Sequence, residues 1–178
     1  TINKPGEDYD TLTLWEDARD GDLAGEQRLE IAECYDDDGD LDDSVVIDGS
    51  TASADYYMKI TAPVGERHNG TKSSGFKIST TTLNNAIVWI EDDYTVVEWI
   101  IITGETDYGM AIQVETASNV TVNGVIAYNI TTSANTRGAF RTYWGYASGT
   151  GTNKFYNCIA HGNVGSGFES GHSGDNMS

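Results

Sequence analysis

A short apolar phrase recurs in the second half of the chain with the same spacing of core-type residues and different flanks. Val97-Glu98-Trp99-Ile100-Ile101-Ile102, Val122-Asn123-Gly124-Val125-Ile126-Ala127 and Phe155-Tyr156-Asn157-Cys158-Ile159-Ala160 superimpose without a gap. Val97, Val122 and Phe155 then fall in one column, and Ile100, Val125 and Cys158 in a second. A companion column runs through Ile87, Ile112, Phe140 and Phe168. Repeats on this scale bury their apolar faces only against neighbouring repeats. Steps of 25 residues (97 to 122) and 33 residues (122 to 155) are too irregular for leucine-rich or ankyrin arrays, and no helical period accompanies them. They suit short strands held in register while the corners between them vary, because loop closure costs rise slowly with length. The chain is therefore read as all-β, a right-handed parallel β-helix.

The 178 residues are expected to form a single domain, with an N-terminal arm and capping helix in 1–25, coils in 28–168 and a polar tail in 169–178. A hydrophobic fraction of 38% is low for a globular fold but enough for a narrow solenoid core. Leu12, Trp15 and Ala18 lie at helical spacing before Gly21, which predicts a short amphipathic helix. A solenoid leaves its first coil open, so this helix reads as the plug and Trp15 as core rather than a ligand platform. Alternating or clustered apolar residues predict strands over 28–34, 44–49 and 56–62, with another around 76–78, and the most apolar runs, 86–90 and 95–103, are expected to be the most buried. Residues 63–74, 131–137 and 147–153 are small and polar, and are read as loops at the corners.

A formal net charge of −18, from 28 acidic against 10 basic side chains, excludes nucleic acid as a partner, because neutralising phosphates requires Lys and Arg. It disfavours anionic membranes for the same reason. No apolar run reaches the ~18 residues of a membrane span, so no membrane insertion is expected. Residues 1–10 do not read as a signal peptide. For a protein placed outside the cell or on its surface, the signal is presumed already removed. Cys34 and Cys158 fall in the first and last coils, too far apart for the ~7 Å reach of a disulfide.

Leu14-Trp-Glu-Asp-Ala-Arg19, Leu29-Glu-Ile-Ala-Glu-Cys-Tyr35, Val46-Ile-Asp-Gly49, Tyr57-Met-Lys-Ile-Thr-Ala-Pro63 and Glu66-Arg-His-Asn-Gly70 resemble the opening of secreted bacterial and metagenomic proteins of the pectate-lyase-like parallel β-helix superfamily. Ser118-Asn-Val-Thr-Val-Asn-Gly124 and Asn157-Cys-Ile-Ala-His-Gly-Asn163 resemble the repeat phrases of that superfamily. The resemblance implies the fold. It does not choose an activity, since lyases, hydrolases, phage spikes, adhesins and structural proteins share this architecture.

Asp36, Asp38, Asp40 and Asp42 stand in the densest carboxylate run, and hard oxygen ligands at this density suit calcium. Leu41 replaces the turn glycine of an EF-hand loop and Ile47 its twelfth-position acid, so a solvated corner is the competing reading. No other cofactor is implied. The resemblance to lyases directs attention to Arg137 and Arg141, the arginines of the repeat region, although no Asp ladder accompanies them. A glycosidase instead needs carboxylates ~5–9 Å apart, with Glu91, Asp92, Asp93, Glu98, Glu105, Asp107 and Glu115 as the acids on offer; no catalytic pair follows from sequence. His68, His161 and His172 lack partners at a diagnostic spacing and read as loop or surface residues. Tyr143, Trp144 and Tyr146 suit a sugar-stacking patch. Asn69, Asn119, Asn129 and Asn176 open N-glycosylation sequons. The expected role is structural or adhesive, with self-association into a homo-oligomer or head-to-tail filament and polysaccharide as partners. The alternative is a lyase, glycoside hydrolase or spike depolymerase acting on polysaccharide.

Overall fold

The computed structural model describes residues 1–81, 84–132, 134, 136–143 and 151–171. Over these residues the chain winds into a parallel β-solenoid of about 5 turns, with two short helices near its N-terminus. The first turn carries β1 (Glu30–Glu33) and β2 (Val45–Ile47), and the second β3 (Met58–Thr61), β4 (Lys77–Thr80) and β5 (Ala86–Ile90). The third carries β6 (Val96–Glu98), β7 (Ile101–Thr106) and β8 (Met110–Glu115), and the fourth β9 (Thr121–Asn123), β10 (Ile126–Thr132) and β11 (Phe140–Tyr143). The fifth carries β12 (Lys154–Tyr156), β13 (Ile159–His161) and β14 (Phe168–Gly171), so the last strand enters the stretch expected to be tail. Three parallel sheets result, ordered β1-β3-β6-β9-β12, β4-β7-β10-β13 and β2-β5-β8-β11-β14. In the first turn Leu41 stands in for a strand of the second sheet through a single bridge to Ile78.

The registers reproduce the columns of the recurring phrase. Ala32, Ile60, Val97, Val122 and Phe155 form one inward row. Ile100 and Val125 are fully buried and Cys158 packs against the same core. Each full burial of a Val or Ile contributes about 1.5–3 kcal/mol. In the third sheet the row is Val45, Val88, Ile112, Phe140 and Phe168, which corrects the column by one residue: Val88, not Ile87, is the partner of Ile112. Ile87 and Val88 are adjacent and both in the core. Because both are buried and apolar, the run itself does not say which of them keeps register with Ile112.

Trp99 divides the apolar run 95–103 into β6 and β7. Trp99 (φ 61°), Gly124 (φ 64°) and Asn157 (φ 54°) occupy the same point in successive turns, each left-handed, each carrying the chain from the first sheet to the second. Left-handed backbone costs a bulky side chain roughly 1–2 kcal/mol. The Trp99 ring offsets that by packing: a Cβ on Gly124 would come within 2.8 Å of it, and the Arg67 guanidinium lies 5.0 Å from its centre.

At the N-terminal end, α1 (Leu12–Arg19) caps the core, its N-terminus closed by the Thr11 side chain accepting from the Leu14 N–H. Leu12 and Trp15 are buried as expected; Ala18 is exposed, and Glu16 is the third buried residue of the helix. Three polar clamps hold the cap. Thr13 donates through its N–H and hydroxyl to Asp43, Glu16 accepts the Asp48 N–H, and Arg19 grips Glu30 with two bonds of 2.8 and 2.9 Å. The second helix, α2 (Leu23–Glu26), buries Leu23 beside it. Cys34 is buried and Cys158 half-buried, and both are free thiols.

Candidate functional site

On the outer face of the third sheet, the row beside Ile112, Phe140 and Phe168 is Trp89, Gln113, Arg141 and Glu169. Strand register alone puts these polar side chains in a line. The Arg141 guanidinium, only 9% exposed, donates to Glu169 at 3.2 Å and to Gln113 at 3.2 Å, and lies 4.6 Å from the centre of the Tyr143 ring. Gln113 passes the polarity on by donating to Glu115, and Glu169 accepts the Gly138 N–H at 2.6 Å. The row is thus a connected network over three turns, in which each partner fixes the next.

Beside this network opens a groove of about 240 Å³, with Tyr108, Met110, Arg137 and Tyr143 completing its walls. Arg137 is exposed, anchored through its backbone N–H to the Tyr108 carbonyl at 2.9 Å, and forms no ion pair among the described residues. A free guanidinium, two phenol rings and a braced Arg–Gln pair present donors and flat apolar faces together. Such a surface suits a polyhydroxylated ring, with the guanidinium able to take a carboxylate in two bonds.

Sequence reasoning had singled out Tyr143, Arg137, Arg141 and Glu115 separately, and the structure brings all four to this groove. Trp144 and Tyr146 lie outside the described residues, as do His172 and Asn176. Gln113, Tyr108 and Glu169 were missed. The aligned Ile112, Phe140 and Phe168 held the signal, since the residue following each is Gln113, Arg141 or Glu169.

Of the other acids, Glu98 sits on the first sheet and Glu105 on the second, whereas Glu115 on the third stands beside Glu91 of the turn before, one residue beyond the Ile90–Val114 pair; burial, and then the Glu115 charge, raise the Glu91 pKa. Asp92 and Asp93 cap corners, accepting the N–H groups of Ser50 and Ser118. Burial raises the Glu98 carboxyl, but the Lys59 ammonium outweighs it and holds the pKa below the usual value.

In the acidic corner, Asp36, Asp38, Asp40 and Asp42 are all exposed. Asp40 is paired with Lys77 at 2.7 Å, and burial raises the pKa of Asp36. No group of three His, Cys, Asp or Glu side chains among the described residues is arranged to hold a metal. Leu41 interrupts the run because it points into the core, exchanging backbone bonds with Lys77 and Ser79.

His68, read as a surface residue, is buried, its Nε2 against the Gly124 carbonyl and its ring 5.9 Å from Trp99. With Lys72 4.8 Å from the Tyr128 ring centre, residues 67–72 form a strap from the second turn across the fourth. Asn69 and Asn129 are exposed and Asn119 half-buried. The Asn69 side chain accepts from Thr71, and that of Asn119 from the Thr152 N–H. No family model, curated protein or solved structure matches the chain.

Proposed function

We propose that this chain is a structural or adhesive solenoid of the pectate-lyase-like kind, exported or displayed at a surface, that holds a saccharide in the groove over β8 and β11. The observation that carries the reading is the free Arg137 guanidinium beside the Tyr143 and Tyr108 rings, backed by the braced Arg141–Gln113 pair. A row braced on strands favours binding, since Arg141, Gln113 and Glu169 are already fixed and only the exposed Arg137 side chain has to be ordered when the ligand arrives. The charge of −18 does not forbid an acidic sugar, because at physiological salt distant charges are screened beyond ~8 Å.

Titration calorimetry with uronate-containing and neutral oligosaccharides, with and without calcium, tests the reading. Binding that falls at least tenfold in Arg137→Ala and in Tyr143→Ala, without loss of thermal stability, supports it. Release of shortened or unsaturated products from the same oligosaccharides would replace it with the enzymatic alternative.

A further inference from the structure

We propose that Asn69 is a self-modifying residue: the strap closes its side chain onto the Gly70 nitrogen, expels ammonia and leaves aspartate or isoaspartate at this position. The inference does not depend on the saccharide reading.

The chain holds two Asn-Gly pairs, Asn69-Gly70 and Asn123-Gly124. A glycine after asparagine leaves its backbone nitrogen free of a neighbouring side chain, so that nitrogen can attack the asparagine carbonyl and close a cyclic imide. At Asn69 the groups that such a closure needs come together. The nucleophile has a base. His68 Nε2 faces the Gly124 carbonyl and so carries the ring hydrogen, which leaves the lone pair on Nδ1, and the Gly70 N–H donates to that atom at 3.2 Å. An imidazole within hydrogen-bond reach of the proton to be removed suits general-base work. The electrophile has donors on its oxygen. Asn69 Oδ1 accepts the Thr71 N–H at 3.3 Å and the Thr71 hydroxyl at 2.8 Å, and the Ser73 hydroxyl stands 2.9 Å from that of Thr71. Donors aimed where negative charge builds up lower the barrier to carbonyl attack.

The setting reinforces both. Residues 67–72 contain two cations, Arg67 and Lys72, and no acid, in a chain of −18. The strap is pinned on either side of the reacting pair, by the buried His68 ring 5.9 Å from Trp99 and by Lys72 4.8 Å from the centre of the Tyr128 ring. Asn69, Gly70 and Thr71 between these pins are exposed to water. Gly70 is left-handed (φ 88°) with open space around it, so nothing obstructs the approach of its nitrogen.

The step needs no oxidant or reductant. The Gly70 nitrogen gives its proton to His68 Nδ1 and bonds to Asn69 Cγ, and the carbonyl electron pair moves onto Oδ1, against the Thr71 donors. Its return breaks the Cγ–Nδ2 bond, and the amide nitrogen leaves as ammonia with a proton from solvent. Water then opens the imide at either carbonyl. One opening gives aspartate and the other isoaspartate, whose backbone is longer by a methylene. Both products place a new carboxylate in the strap, and isoaspartate also parts Gly70 from the His68 Nδ1.

Asn123-Gly124 is held against the same reaction. The Gly124 N–H is committed to the Tyr156 carbonyl at 3.1 Å and the Asn123 carbonyl to the Trp99 N–H at 3.0 Å, so closure would pull the end of β9 out of its sheet. This pair is therefore a control within the same molecule.

Incubating the full chain at neutral pH, folded and in parallel unfolded in urea, in water enriched in heavy oxygen, and mapping its peptides by mass spectrometry tests the proposal. Each pair is compared with its own rate in the unfolded chain. On folding, Asn69 should react at least threefold faster and Asn123 at least tenfold slower, with labelled oxygen and isoaspartate in the peptide that carries position 69. His68→Leu, which removes the base and keeps an apolar group against Trp99, should abolish the gain at Asn69. Thr71→Val, at an exposed position, should lower it, and carries the test if His68→Leu does not fold. Asn69 reacting no faster folded than unfolded, or a gain that survives these substitutions, overturns the proposal. Loss of ammonia with no isoaspartate overturns it as well, since direct hydrolysis passes through no imide.

Discussion

Glu16 is a buried carboxylate on the capping helix α1, and its removal should make the protein more stable at neutral pH. It is 4% exposed, with one oxygen accepting the Asp48 N–H at 3.1 Å. Burial raises its pKa from 4.5 to about 7; the Asp48 N–H opposes the rise, and the charges of Asp48, Asp20 and Asp92 add to it. In the unfolded chain the carboxyl returns to about 4.3. Between those values the folded state holds a proton that the unfolded state has lost, so stability falls as pH rises through this window. At about 1.36 kcal/mol for each pKa unit, the cost at pH 8 approaches about 3 kcal/mol. Glu16→Gln keeps the acceptor oxygen and cannot ionise. It should match the parent near pH 4.5 and exceed it at pH 8 by about 2–3 kcal/mol, or about 4–12 °C in melting temperature for a domain of this size. Urea unfolding of both proteins at the two pH values, at constant ionic strength, measures the difference. Burial also raises the Asp92 pKa in the same direction; that burial is common to both proteins, and only its charge coupling to Glu16 enters the difference. A Glu16→Gln advantage that is equal at pH 4.5 and pH 8 would refute the reasoning, since a packing gain does not titrate.

Val125→Asp places an unpaired charge in the fully buried row between Ile100 and Cys158, and should cost about 3–5 kcal/mol, read by denaturant unfolding. Wild-type-like melting would reject the register. Gly104→Ala should destabilise by more than about 1 kcal/mol, because at φ 138° a Cβ runs into the Thr80 carbonyl of the turn before; an unchanged unfolding midpoint would show that β4 and β7 yield at that point. Millimolar calcium should shift the melting temperature no more than magnesium does, and a calcium-specific rise lost in Asp36→Asn would establish a site in the acidic corner.

The legible parts of this sequence are those where the solenoid repeats a demand at every turn. Each coil needs an inward aliphatic at the same point, so Val97, Val122 and Phe155 align by eye, and α1 is visible because Leu12 and Trp15 must face a core that has no preceding coil. The site is legible only at second hand. An outward row obeys no hydrophobic rule, and Gln113, Arg141 and Glu169 share neither type nor size, so only the inward register brings them together. The same separation of rows explains the errors. Ile87 and Val88 are both buried and apolar, and only the pairing with β8 shows that Val88 keeps register with Ile112. Trp99 holds a left-handed position that Gly124 and Asn157 fill with residues suited to it, so its role is visible only against its neighbours in space. His68 is a loop residue by sequence, and it becomes buried because the strap it belongs to crosses two turns to meet Gly124. Repetition along the axis is thus written in the aliphatic columns, whereas whatever distinguishes this solenoid from another is written across the axis, in contacts between turns whose separation in sequence varies. The groove and the strap both lie in that second direction, which is where binding is to be sought.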